Sequence, residues 1–256
     1  MIDSDKQLVP KEKEHVTHPR GIYLLPNLLT TAALFSGFYS IVAAMKGLFD
    51  VAAIAVFIAM IADTLDGRVA RMTNTQTTFG AEYDSLSDMA AFGIAPALII
   101  YSWSLSHLGK LGWLAAFLYA AATALRLSRF NTQPQDSDKR YFQGLPCPAA
   151  AGVIAGAVWL GSDYHVAGHI IAIPAALLTV MVAGLMVSTI RYYSFKKFDT
   201  KGRVPFIAII LLIVIITAIA INPPPMLFAI FLGYAFCGPA ITSWQLRKMR
   251  QIRKLK

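Results

Sequence analysis

The chain has 256 residues, 56% of them hydrophobic and 14% charged, with a formal net charge of +9 and a mean hydropathy of +0.56. That balance is far too apolar for an ordinary soluble domain, and with such hydropathy the basic excess points to anionic lipid and away from nucleic acid. Two isolated cysteines, Cys147 and Cys237, lie in apolar surroundings without CxxC spacing; they read as packing residues and imply no metal or redox role.

Residues 1–20 are polar and of mixed charge, and read as a mobile tail with no apolar run of the kind a cleavable signal peptide needs. HPRGIYLLP, 18–26, reads as a short interfacial segment, with Arg20 at the headgroups and Tyr23 at the acyl boundary. Apolar runs of about 17–25 residues, the length of a bilayer-crossing helix, then recur along the chain. Eight spans are predicted, at 27–46, 48–72, 79–107, 111–130, 147–162, 166–190, 204–221 and 225–244. The third is long enough to protrude, the fifth is short and rich in Gly and Pro, and the basic tail WQLRKMRQIRKLK continues the last helix into water. The expected fold is therefore an all-α polytopic membrane protein. No internal repeat and no inverted pair of interrupted helices of the secondary-transporter kind stands out.

Charge placement orients these spans. With the N-terminus cytoplasmic, all of the 23 basic residues except Lys46 and Lys110 fall on the inner side. The positive-inside rule thus supports a multi-pass protein of the cell membrane with both termini in the cytoplasm.

Between the second and third spans the chain reads DTLDGRVARMTNTQTTFGAEYDSLSD, 63–88, with four aspartates and a glutamate between apolar stretches. Asp63 and Asp66 share one helix face at i,i+3, and Asp84 and Asp88 share another at i,i+4. The linking loop is short, so the two helices are antiparallel neighbours. At 1.5 Å per residue, Asp66 and Asp84 lie roughly 10 and 8 Å from the cytoplasmic end, and Asp63 and Asp88 both roughly 14 Å. The four carboxyls therefore pair by level and can converge between the helices. Glu82, two residues from Asp84, points elsewhere.

One charge at mid-bilayer costs at least about 2.5–3.5 kcal/mol, and like charges packed together favour protonation. Two remedies remain: shared protons, as in an ion pathway, or divalent cations. Oxygen donors without His or Cys favour Mg2+, Mn2+ or Ca2+ over zinc, and paired metals serve phosphoryl chemistry. Gly67 and Ala70 leave room for a ligand against the helix, and Arg71 near the cytoplasmic mouth can reach a phosphate. Thr77, Thr78 and Gly80 open the third helix, whose free N–H groups suit an anion.

The composite D63-T-L-D66-G67-R-V-A70-R71, eight residues, then G80-A-E-Y-D84-S-L-S-D88 resembles the signature of the CDP-alcohol phosphatidyltransferase family, DxxDGxxAR followed by GxxxDxxxD. The resemblance covers a six-helix core, 21–190, and leaves 191–256 as two added helices with a basic tail. It implies that Asp63, Asp66 and Asp84 hold one divalent ion, Mg2+ or Mn2+, and Asp63, Asp84 and Asp88 a second, with Asp88 also the general base. It further implies CDP contacts from Gly67, Ala70, Arg71, Thr77 and Gly80. P26-N27-L28-L29-T30 resembles the family's PN-x-LT start, which adds Asn27 and Thr30, although an Asn at a helix start also serves as a cap. A homodimer is implied by the same resemblance.

Three further segments look like the phosphatidylserine synthase branch: 84–96, DSLSDMAAFGIAP; 125–131, LRLSRFN, with 142–151, FQGLPCPAAA; and 186–196, MVSTIRYYSFK. They imply CDP-diacylglycerol as donor and L-serine as acceptor, giving phosphatidylserine and CMP. Arg126, Arg129 and Arg191 are candidates for the serine carboxylate or a lipid phosphate; equally, such residues anchor helix ends at headgroups. The rival acceptors are glycerol 3-phosphate, inositol phosphate and choline, and an archaeal ether-lipid donor fits the same motif. The rival of another class is an ion-coupled transporter, which leaves Gly67, Ala70, Gly80 and Arg71 without a purpose.

Overall fold

A computed structural model describes residues 24–73, 75, 77–132, 141–193 and 206–254. The predicted tail 1–20 and Tyr23 lie outside the described residues, as do Lys139 and Arg140 of the segment QDSDKRYFQG, which read as solvated loop charges. Among the described residues eight long helices form: α1 Leu24–Met45, α2 Phe49–Met72, α3 Thr78–Trp103, α4 Lys110–Thr132, α5 Cys147–Asp163, α6 Ala172–Val187, α7 Phe206–Ile221 and α8 Pro223–Lys254. Among the described residues a short ribbon adds to this all-α fold, β1 Tyr141–Gln143 against β2 Arg191–Tyr193, antiparallel with Phe142 opposite Tyr192. Of these helices, α1, α3, α4 and the first 18 residues of α8 are each long and apolar enough to cross a membrane, and α6 and Ile210–Ile221 of α7 are shorter apolar helices. In α2 the motif's own charges dilute the apolar signal. The chain is a polytopic membrane protein.

Small residues let these helices approach closely. The buried stripe of α1 is Pro26, Thr30, Ala33, Gly37, Ser40, Ala43 and Ala44, and α2 answers with Ala52, Ala55, Val56, Ala59 and Ala62. In lipid, association depends on such close packing, because apolar burial gives no net drive between helices already in hydrocarbon. A hydrogen bond from Ser40 to the Ala52 carbonyl, 2.7 Å, ties the hairpin near its turn. α5 is buried on nearly all sides, as a helix apolar all round should be at the centre of a bundle. Its Gly152 and Gly156 receive α8: a Cβ at Gly152 would lie 2.6 Å from the Phe231 ring, and one at Gly156 3.1 Å from the Phe228 backbone.

The third and sixth spans differ most from the sequence reading. The third span ends at Trp103, not 107, and a 3-10 turn, Leu105–Leu108, follows. The same helix also contains a π turn, Met89–Ile94, directly after Asp88. The sixth span begins at Ala172 and not 166, because His165 takes φ 52 and the chain turns back, the Ile170 N–H donating to Ala167. Residues 166–171 are apolar enough to read as helix, but Ser104 holds the Gly168 carbonyl, 2.7 Å, in that turn. Cys147 is buried as expected, whereas Cys237 is exposed.

Candidate active site

The acids stand where α2 ends and α3 begins. Carboxylate oxygens of Asp63, Asp66 and Asp84 all lie within 4.8 Å of one another. Asp66 is buried and Asp63 and Asp84 are half-buried. Asp88, one turn beyond Asp84, stands close enough to interact directly with Asp63 of the same cluster. The level-by-level pairing expected from depth therefore becomes one group, in which Asp63 joins the triad to Asp88. A hard divalent cation fits this donor set: three carboxylates converge on one point, with no nitrogen or sulfur ligand among them.

The motif's other residues surround the acids. The Thr30 hydroxyl donates to Asp66 Oδ2 at 2.7 Å; its other acceptor, the Pro26 carbonyl, is at 3.1 Å. The hydroxyl has one proton, and the shorter bond to a charged oxygen takes it. Thr30 thus orients a metal-ligand candidate, a role its placement in the PN-x-LT segment did not suggest. Its carbonyl also accepts from Ser87 at 3.1 Å, which joins α1 to the acid-bearing turn of α3. Thr77 is the N-cap of α3, its Oγ1 accepting from the Gly80 N–H at 3.0 Å. A Cβ at Gly80 would lie 3.5 Å from Asn27 Oδ1, so Asn27, Thr77 and Gly80 form one corner of the site. Across from it, the Arg71 guanidinium folds over Gly67, 3.5 Å from where a Cβ would be. Ala70 is half-buried beside it, and Glu82 is exposed, away from the acids.

The three arginines separate. Arg129 Nη1 donates to the Val187 and Ser188 carbonyls, 2.9 and 3.5 Å, and so closes the C-terminus of α6. Arg191 sits in β2 opposite Gln143. Arg126 Nη1 lies 3.2 Å from Cys147 Sγ, and its Nε is buried without an acceptor among the described residues. Arg126 and Cys147 stand on α4 and α5, and both of these helices pack on the π turn Met89–Ile94 that directly follows Asp88. Two groups that interact with Arg126 went unassigned in the sequence: Cys147, read only as packing, and Tyr234 of α8. A phenol in the middle of FAIFLGYAFCG is the one signal that marks the latter, since a buried Tyr hydroxyl looks for a polar neighbour. At the opposite end of α3 an apolar cavity of about 580 Å3, bordered by Trp103, Tyr164 and Phe228, holds no acids and takes no part in this site.

An acid cluster that could hold a divalent metal ion thus lies within a helical membrane bundle, with small residues and an arginine around it. A sequence profile described as CDP-alcohol phosphatidyltransferase matches residues 23–183, and the chain belongs to that family. It is 38% identical over 213 residues to the CDP-diacylglycerol–serine O-phosphatidyltransferase of Helicobacter pylori, covering 83% of this chain and 87% of the relative. The enzyme of the same name from Mycobacterium leprae is 32% identical over 232 residues, 84% and 73% of the two chains. The archaetidylserine synthase of Methanothermobacter thermautotrophicus is 36% identical over 170 residues, 66% and 69%.

Proposed function

We propose that this protein transfers the phosphatidyl group of CDP-diacylglycerol to the hydroxyl of L-serine, giving phosphatidylserine and CMP. The observation that carries this reading is the convergence of Asp63, Asp66 and Asp84, with Asp88 joined to them through Asp63. The names of the relatives support serine as the acceptor. Asp63, Asp66 and Asp84 would hold one divalent cation, and Asp63, Asp84 and Asp88 a second, Mg2+ or Mn2+. When bound, these cations supply positive charge against the diphosphate and the departing CMP. Asp88 takes the proton of the serine hydroxyl as its oxygen bonds to phosphorus and the bond to CMP breaks. Asn27, Gly67, Ala70, Arg71, Thr77 and Gly80 line the CDP position, and Thr30 contributes there through its hold on Asp66.

The 21–190 core carries this chemistry, with 191–256 added to it, and the protein works as a homodimer in the cell membrane with both termini in the cytoplasm. Basic residues gather at the end of the bundle that bears the site, so CDP and serine arrive from that side while the acyl chains stay in the bilayer. The deciding experiment follows CMP release by purified protein given CDP-diacylglycerol with serine, glycerol 3-phosphate, inositol phosphate or choline. Release with serine alone is expected; release only with a different alcohol overturns the acceptor. The same assay with the CDP-activated archaeal ether lipid tests the donor, a choice raised by the archaetidylserine synthase relative.

A further inference from the structure

We infer that Arg126 and Tyr234 together form the subsite for the acceptor's carboxylate, so that α8, outside the residues matched to the family, completes the acceptor pocket. The inference rests on the serine reading above and assigns the part of serine that a simple amino alcohol lacks.

Of the three arginines considered, Arg129 is engaged by the α6 carbonyls, whereas Arg126 contacts Cys147 at the start of α5, and α4 and α5 both pack on the π turn that follows Asp88. Arg126 Nη1 donates to a sulfur, a weak acceptor that a carboxylate readily outcompetes, and its buried Nε has no acceptor among the described residues. Nε and the neighbouring Nη2 form the edge with which arginine grips a carboxylate side-on, through two parallel N–H donors. A buried guanidinium nitrogen without a partner is costly unless a ligand's oxygen completes it.

Tyr234 interacts electrostatically with the Arg126 charge. Its position is fixed from three directions. Phe228 and Phe231, earlier on α8, seat in the Gly156 and Gly152 notches of α5. The Tyr192 ring packs against its own at 5.7 Å, tilted by 45°. The Tyr192 hydroxyl also donates to the Ala235 carbonyl at 2.9 Å, pinning the next residue of α8 to the β ribbon. Arg126 on α4 therefore touches Cys147 at the start of α5 and acts electrostatically on Tyr234 of α8. Charge adds to this: the positive end of α5 and the Arg126 cation both favour an anion there. With Asp88 serving the hydroxyl and this pair the carboxylate, serine is held at both ends.

The test compares L-serine with L-serinamide, in which an uncharged carboxamide replaces the carboxylate, in the CMP-release assay, using wild type, R126A, R126K and Y234F. In R126A, kcat/KM for serine falls roughly tenfold or more, the range of a lost hydrogen bond to a charged group. In the same variant kcat/KM for serinamide and KM for CDP-diacylglycerol stay near wild type, so the preference for serine collapses. R126K recovers part of the preference, and Y234F lowers it severalfold. Y234F removes a single oxygen, so it tests the subsite even where R126A fails to fold. Equal losses toward both acceptors, or an intact preference in Y234F and R126K, overturn the subsite. Wild type that uses another alcohol and not serine overturns the proposed function itself, a distinguishable result.

Discussion

Replacing Thr30 with valine removes one hydroxyl from the site and little else. Thr30 and Asp66 are each only 4% exposed, so water does not replace the lost donor. The bond measures 2.7 Å and ends on a carboxylate oxygen; hydrogen bonds to charged groups contribute about 1.5–3 kcal/mol. That corresponds to roughly a tenfold to hundredfold change in an equilibrium constant, the same range found when an outer-shell partner of a metal ligand is lost. Valine keeps the branched shape that packs α1 against α2, so the fold survives. The expected result is a fall in Mn2+ affinity of about tenfold to hundredfold, read by calorimetric titration of purified protein, with the Mn2+ needed for half-maximal CMP release rising in parallel. T30S keeps the donor and stays near wild type. T30V with wild-type Mn2+ affinity and activation would refute the assignment of Thr30 as the residue that orients Asp66.

D88N should lose about 10²–10⁴-fold in turnover, the usual contribution of a positioned base, while largely keeping CDP-lipid binding; unchanged CMP release rules out the base. D84N removes a ligand outright, so its Mn2+ affinity should fall further than that of T30V, and a wild-type titration would contradict this. Gly144 has φ +77, and a Cβ there would collide with the Met186 carbonyl. G144A should therefore lose at least about 1–2 kcal/mol from the backbone alone, seen as a melting temperature lowered by several degrees; an unchanged melt means that the turn beside β1 relaxes freely.

The helices and the acids were legible because each depends on neighbours in sequence. Hydropathy marks α1 to α8 one at a time, and i,i+3 and i,i+4 spacing places Asp63 with Asp66 and Asp84 with Asp88 on shared faces. What crosses between helices was not legible. Thr30 holds Asp66 across 36 positions, and Arg129 holds Val187 across 58; nothing local to either residue signals its partner. The ribbon was hidden for a related reason. Its strands are three residues each, too short for an alternating pattern, yet they pair FQ of one segment that carried the phosphatidylserine synthase resemblance with RY of another. Residues 166–171 show the reverse error: their hydropathy suits a helix, and only the tertiary contact through Ser104 reveals the turn.

The π turn at Met89–Ile94 divides α3 into two rods with a joint between them. One extra residue in a helix of 3.6 residues per turn advances the phase by about 100°. The acid-bearing rod above the joint and the rod carrying Ile99, Ile100 and Trp103 below it are therefore set at different angles, each to its own neighbours. The Tyr119 hydroxyl, donating to the Phe92 carbonyl at 3.0 Å, locks the joint from α4. Removing a single residue between 89 and 94 would relax the helix to a regular one and force a choice, either swinging the carboxylates out of register or unseating the lower half from the bundle.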